Sequence, residues 1–400
     1  MKNRIVLLVT LIIFLLASCG APQEARIVRH PEPVDYNGYN TYITAPTYNP
    51  DSDDPWQMDL RSADLTGIDF SNSLDDLYFA TFDSKTIWPS PELMPDNFDW
   101  QSIIELGEDP GLGIRQLHEQ GISGEGVGIA IIDQALLVDH VEYVDRVLVY
   151  EEADNISGGW RAVSMHGAAV ASIAVGKTVG VAPDADLYFI ASTMCNQGTY
   201  ESIDFACLAE NVRRIIEINK SLPEERKIRV LSMSIGWGPE SKGYDEITAA
   251  VNEARDAGIF VISTSISDVY GLKFHGLGRF PLSDPNVFQS YEPGSWWQNI
   301  FYEQGLGVDT LLVPMDSRAT ASPTGLGDYV FYRQGGWSWC VPYLAGMYAL
   351  AVQVNHDITP EEFWSTALET GQTIQIEHDG KSYSLGVILD PQALITALQE

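Results

Sequence analysis

The sequence predicts an α/β fold of three layers: a mostly parallel central sheet covered by helices on both faces, preceded by a small repeat-like element. Two observations carry this. From about residue 100, continuous apolar runs of strand length alternate with helix-patterned segments, as expected of strands buried on both sides by crossover helices. Ahead of them, Leu60, Leu65 and Phe70 recur every fifth position within LRSADLTGIDF, a period that is neither the 3.6 of a helix face nor the 2 of strand alternation. A chain of 400 residues, 45% of them apolar, has ample material for a core, which excludes wholesale disorder.

Taken in order, the first segment is an export signal. Lys2 and Arg4 precede an unbroken apolar run from Ile5 to Ala17, short for a membrane span but of signal-peptide length. It ends in Leu16-Ala17-Ser18-Cys19, which resembles the bacterial lipobox. Residues 1–18 then read as a lipoprotein signal and Cys19 as a lipidated N-terminus, against the plainer reading of a secretory signal with a chance cysteine. Residues 19–55, rich in Pro, Asn, Tyr and Asp, read as a tether. Residues 56–95 form the small repeat-like element, which resembles pentapeptide repeats, and residues 96–400 the main domain.

Within the main domain, VGIAIID, ADLYFIAS, IRVLSMSIG and IFVISTS read as buried strands. IRQLHEQGI, HGAAVASIAVG, ACLAENVRRIIEINKSL, ITAAVNEARDAG and VPYLAGMYALAVQV read as helices. Residues 273–336 carry little periodicity. A parallel sheet places ligand sites at the carboxyl ends of its strands, which directs attention to the residues just after each run.

Charge restricts partners. Asp and Glu number 55 against 23 Lys and Arg, a net charge of −32, and removal of Lys2 and Arg4 with the signal takes it to −34. Such a surface repels phosphate backbones and anionic headgroups, so nucleic acid is excluded as a partner and membrane attachment rests on the lipid. Cys195, Cys207 and Cys340 remain, an odd number in an exported chain. Cys195 and Cys207 flank a polar loop and are either a disulfide or two buried thiols. No spacing suits zinc, and no EF-hand-type loop is present.

Three residues carry the chemistry. Asp133 closes the strand VGIAIID, His166 opens a helix of small residues in SMHGAAVAS, and Ser338 follows Gly335-Gly336 and starts an apolar helix in GGWSWCVPYLAG. Each alone has a bland reading: a strand-end cap, a structural histidine, an N-cap. In this order and context they resemble the subtilisin-like serine proteases, whose motifs are an Asp closing a strand, HGTxVAG and GTSMAxPxVAG. VGVAPDADLYFIA and LSMSIGWG resemble further family segments. The resemblance implies a subtilisin-like fold over about residues 110–400 and an extracytoplasmic serine endopeptidase. Ser338 would be the nucleophile, His166 the general base and Asp133 the residue that orients it. Ser234, Ile235 and Gly236 would bind an extended peptide or protein substrate as an added strand, and Trp237, Trp296 and Trp297 could line subsites. No cofactor is required; exported members of the family often bind calcium, for which no ligands are legible here. Oligomeric state is not legible either.

The departures from the family pattern define an alternative. The family's oxyanion-hole Asn falls, by count, at Ser267, with Ser265 nearby as a substitute donor. Trp337, Trp339 and Cys340 replace smaller residues around the nucleophile, Gln134-Ala135 replaces Ser-Gly after Asp133, and no recognisable inhibitory pro-domain precedes residue 100. The alternative is a catalytically weak or inactive member that binds peptides or proteins as a lipoprotein.

Overall fold

The computed structural model of the chain describes residues 25–38, 40–52, 57–153, 161–193, 195 and 203–400. The signal and Cys19 lie outside these residues. Among the described residues no helix is long and apolar enough to cross a membrane.

Six parallel strands form the central sheet, in the spatial order Arg26–Ile27, Val147–Glu152, Asp186–Ala191, Gly128–Asp133, Ile228–Met233, Phe260–Ser263. The strand ending in Asp133 is central, and its alternate residues feed two cores, because successive side chains point to opposite faces. Ile129 and Ile131 pack into the core that holds the helices Met165–Val175 and Trp337–Val354. Ala130 and Ile132 pack into the core beneath Phe205–Ser221 and Tyr244–Asp256. The fold is the subtilisin-like α/β arrangement predicted, with both faces of the parallel sheet covered.

The region from 273 to 336, where periodicity is weak, is largely β-structure. Lys273–Arg279, Tyr291–Pro293 and Thr310–Pro314 join Gln372–His378 and Lys381–Ile388 in a five-stranded mixed sheet. Arg318–Ala321 pairs antiparallel with Tyr329–Tyr332. These strands are short and nearly every residue is buried, so no polar face exists to produce alternation.

The expected tether is corrected. Residues 25–38 and 40–52 lie along the domain: Arg26–Ile27 adds a parallel edge strand, Arg29 Nε donates to Glu152 Oε1 at 2.7 Å, and the Val34 N–H donates to the Pro323 carbonyl at 3.0 Å. Tyr48 stacks on Phe79 with ring centroids 3.7 Å apart. A strap held by scattered backbone and side-chain contacts has no period of its own, which is why its composition reads as linker.

In the element that follows, Leu60, Leu65 and Phe70 are fully buried and share one cluster with Phe82 and Phe331. Parallel rungs join two stretches of chain: the N–H groups of Leu60, Leu65 and Phe70 donate to the carbonyls of Thr81, Ile87 and Leu93 at 2.8, 2.9 and 2.7 Å. The buried Asp83 carboxylate accepts from the Ser62 N–H and hydroxyl, both at 2.8 Å. Phe82–Asp83 pairs with Tyr329–Tyr332 and so fastens the element to the main domain.

One close approach positions the site. A Cβ at Gly167 would stand 2.4 Å from the Gln134 carbonyl oxygen and 2.9 Å from that of Ala135, so only glycine lets the helix that opens at Met165 lie on the loop leaving Asp133. Gly167→Ala is expected to destabilise the chain by about 1–3 kcal/mol, read as a lower denaturant midpoint at unchanged slope. An unchanged midpoint would show that the loop can yield without cost.

Candidate active site

Asp133 ends its strand at the carboxyl edge of the sheet, only 4% exposed, and its Oδ1 also accepts from the Gln134 N–H at 2.8 Å. His166 stands in the first turn of its helix, which Ser164 caps by accepting from the Gly167 N–H. His166 Nδ1 lies 2.7 Å from Asp133 Oδ1. Burial alone would push the imidazole pKa down, but the charge of Asp133 and its hydrogen bond outweigh this, and the net shift is upward. The ring meets Trp339 edge-to-face at 5.5 Å, and Trp339 in turn meets Tyr332 at 5.0 Å. The strap returns here: Tyr36 lines a cavity of about 370 Å³ together with Gln134, Met165 and His166.

Ser338 lies in the first turn of Trp337–Val354, just past the extended Gly336. Pro342 stands inside this helix and has no N–H to donate to the carbonyl four residues back, that of Ser338. The freed carbonyl accepts from Ser234 Oγ at 2.9 Å. The residue just past the strand Ile228–Met233 thereby fixes the start of the Ser338 helix. The Ser338 hydroxyl donates to the Ser234 carbonyl at 3.4 Å and, among the described residues, has no hydrogen bond to His166.

The loop before Ser338 is held by residues the sequence did not single out. The buried Asp316 accepts from the Gly335 N–H and the Ser295 N–H, each at 2.8 Å, and Trp296 Nε1 donates to the Gly335 carbonyl at 2.8 Å. Burial raises the Asp316 pKa against the opposing pull of these N–H groups and Arg333. Asp316 follows a strand end, a weak sign that many structural acids share.

The predicted oxyanion donors separate. Ser265 is corrected: its hydroxyl is spent on Trp237, accepting from the N–H and donating to the carbonyl, both at 2.7 Å. Ser267 is exposed and faces a cavity shared with Thr264 and Trp337. Of the predicted substrate strand, Ser234, Ile235 and Gly236 are all half-exposed, and the Ile235 carbonyl already accepts from the Thr264 N–H at 3.2 Å. A Cβ at Gly236 would meet Thr264 Oγ1 at 2.5 Å. Trp237 and Trp297 are core residues, at 6% and 3% exposed, while Trp296 clamps Gly335. Cys195 and Cys207 form a disulfide with Cα atoms 6.1 Å apart. Cys340 is a free buried thiol whose pKa burial pushes well up.

A strand-end carboxylate, a helix-borne imidazole and a hydroxyl at the mouth of an interior helix are the three group types that a serine hydrolase site of subtilisin type combines. Residues 124–270 match the family model described as the subtilase family, a span that contains Asp133, His166 and Ser234–Gly236 and stops short of Ser338. The matched segment is thus similar to part of a subtilase domain. The chain is similar to the serine protease AprX of Bacillus subtilis (strain 168), at 23% identity over 67% of this chain and 66% of that one. It is also similar to the extracellular serine proteinase of Thermus sp. (strain Rt41A), at 22% identity over 67% of this chain and 60% of that one. The chain thus spans about two thirds or less of these relatives' lengths. Among solved structures, the prenylagaramide maturation protease PagA superposes with a TM-score of 0.48 and 15% identity, covering 72% of this chain and 98% of that one.

The raised His166 pKa has a kinetic consequence. A base must be neutral, so the acid limb of kcat/KM is expected to have its midpoint above the ordinary histidine value of 6.5. Asp133→Asn removes the charge that raises it; the limb then moves to lower pH while the rate falls by about 10⁴-fold. A limb that stays in place would mean that Asp133 does not set the His166 pKa.

Proposed function

We propose that the chain is an extracytoplasmic, lipid-anchored serine endopeptidase. The observation that carries this is the 2.7 Å contact between Asp133 and His166, beside a serine whose helix start is tied to the same sheet. Ser338 Oγ turns from the Ser234 carbonyl toward His166 Nε2, which has no other partner among the described residues, and attacks the peptide carbonyl as His166 takes its proton. Asp133 holds the imidazole tautomer and stabilises the imidazolium. The developing oxyanion meets the Ser338 N–H in the first helical turn, where the helix dipole favours negative charge, and Ser267 supplies the second donor in place of the family's Asn. His166 then passes the proton to the leaving amine, and water releases the acyl group. Ser234–Gly236 hold the substrate backbone. The chemistry uses these side chains and backbone groups and requires no cofactor.

Export and anchoring rest on residues 1–18 and Cys19 and agree with the Thermus relative being named extracellular. A second reading, a weak or inactive subtilase-fold lipoprotein that binds peptides or proteins, draws on one observation: Ser338 Oγ faces Ser234 rather than His166.

The test is covalent labelling of the full chain in detergent with a fluorophosphonate probe. Labelling is expected in the wild type and absent in Ser338→Ala, with a loss of a hundredfold or more in labelling rate for His166→Ala. A folded wild-type chain that takes no label would overturn the enzyme reading in favour of the binding one. Separately, Cys19→Ala is expected to move the protein from the membrane to the soluble fraction, and retained membrane association would refute the anchor.

A further inference from the structure

A cavity of about 460 Å³ opens beside the nucleophile, walled by Ile266, Leu272 and Trp337 and reached by the polar groups of Thr264, Ser267 and His275. Two contacts tie it to the reaction centre. Trp337 immediately precedes Ser338, and the Thr264 N–H donates to the carbonyl of Ile235 in the proposed substrate strand. Between that strand and the cavity stands Gly236, where a side chain would strike Thr264.

His275 is the one polar group in this cavity held rigid from two sides. Its ring stacks on Trp297 with centroids 4.6 Å apart and planes at 21°, and Trp297 Nε1 is itself bonded to the Gly276 carbonyl at 2.6 Å. Trp337 Nε1 lies 3.2 Å from His275 Nδ1. An indole N–H can only donate, so Nδ1 carries the lone pair and, in the neutral ring, the proton sits on Nε2. Burial holds the imidazole pKa below its ordinary value, which favours that neutral form in the empty site. Nε2–H is then a donor with no protein partner among the described residues, in a ring that lines the cavity.

One charged side chain lines the cavity, and it is a cation. In a chain with 55 acidic residues, no Asp or Glu lines this cavity, and Lys273 does. Lys273 is paired with Asp309 at 2.6 Å, in an ion pair more than half exposed on both sides. Exposed pairs of that kind are worth little, so the ammonium remains available to a second anion.

Building on the endopeptidase reading, we propose that this cavity receives the substrate side chain on the acyl side of the scissile bond and that His275 selects a glutamate there. The methylenes of the glutamate lie between Leu272 and Trp337, and its carboxylate accepts from His275 Nε2–H with Lys273 supplying favourable charge. His275 is a specificity residue and takes no part in bond making.

Two arms separate this inference from the reading beneath it. In the first, the full wild-type chain is given peptides of one Ala-rich sequence carrying a single Glu, Gln or Leu. Cleavage after Glu is expected to exceed that after Gln or Leu by at least tenfold in kcat/KM. His275→Leu, which keeps an apolar side chain against Trp297, is expected to invert the Glu-to-Leu ratio, and His275→Gln, which keeps a donor, to retain part of it. Ratios within one variant are insensitive to any loss of folded protein. In the second arm, the same peptides are bound to the full-length Ser338→Ala chain and followed by fluorescence anisotropy, with Glu expected to bind at least tenfold more tightly than Leu. Cleavage with Leu or Gln preferred over Glu, or a ratio indifferent to His275→Leu, overturns the pocket assignment and leaves the endopeptidase standing. Tighter binding of the Glu peptide that depends on His275, with no cleavage of any peptide, refutes the endopeptidase and keeps the pocket.

Discussion

The site depends on how near a helix can come to a loop. Asp133 is fixed by its place in the central strand, and His166 by its place in a helix that crosses the same sheet face. Their carboxylate and imidazole can share a 2.7 Å contact only because Gly167 lets the helix backbone rest on the Gln134 carbonyl. A methyl group there would have to push the helix, the loop or both, in an interior as dense as a crystal of small molecules. Ser338 obeys the same economy: Pro342 withholds a helical hydrogen bond, and the Ser234 hydroxyl, just past the strand Ile228–Met233, donates in its place. The nucleophile is thus referenced to the sheet, as the other two residues are.

Around this frame the acidity of the chain is sorted by place. Most carboxylates are on the surface, where repulsion is screened; of the buried ones, Asp186 pairs with Arg226 and Asp133 with His166, and three others accept backbone or hydroxyl hydrogen bonds. Asp83 holds Ser62, Glu142 accepts from the N–H groups of Thr178 and Val179, and Asp316 holds Gly335 and Ser295. Each of these three acids organises a loop where side-chain packing alone would leave several conformations open. That the loop before Ser338 is one of these links the interior electrostatics directly to the position of the nucleophile.

The parallel sheet, its covering helices and the three site residues were legible because each rests on local signals: continuous apolar runs, a small-residue helix, glycines at fixed places. What was not legible depends on pairing between distant segments. Strands such as Arg318–Ala321 are buried on all sides and show no alternation. The strap of residues 25–38 and 40–52 is ordered by partners more than a hundred residues away, such as Glu152 and Pro323. Ser265 stood at a plausible distance from the count for the oxyanion donor, yet its hydroxyl belongs to Trp237. His275 sits in a segment without period, and only the stacking of Trp297 and the indole N–H of Trp337 give it meaning.

The departures around the nucleophile follow one physical logic. Losing a single oxyanion donor costs a serine protease about a hundred- to a thousandfold in turnover, whereas the hydrogen-bonded Asp and His are worth more and are kept. The bulky residues act together: Trp337 ties His275, Trp339 braces His166, and Trp296 clamps Gly335. Three indoles thus hold the nucleophile loop, the base and the cavity wall in one arrangement. Such rigidity trades breadth for discrimination, because a site whose walls cannot move accepts few side chains and leaves its unpaired donor to reject the rest. On the proposed endopeptidase reading, these substitutions would combine slower turnover with a narrower substrate range.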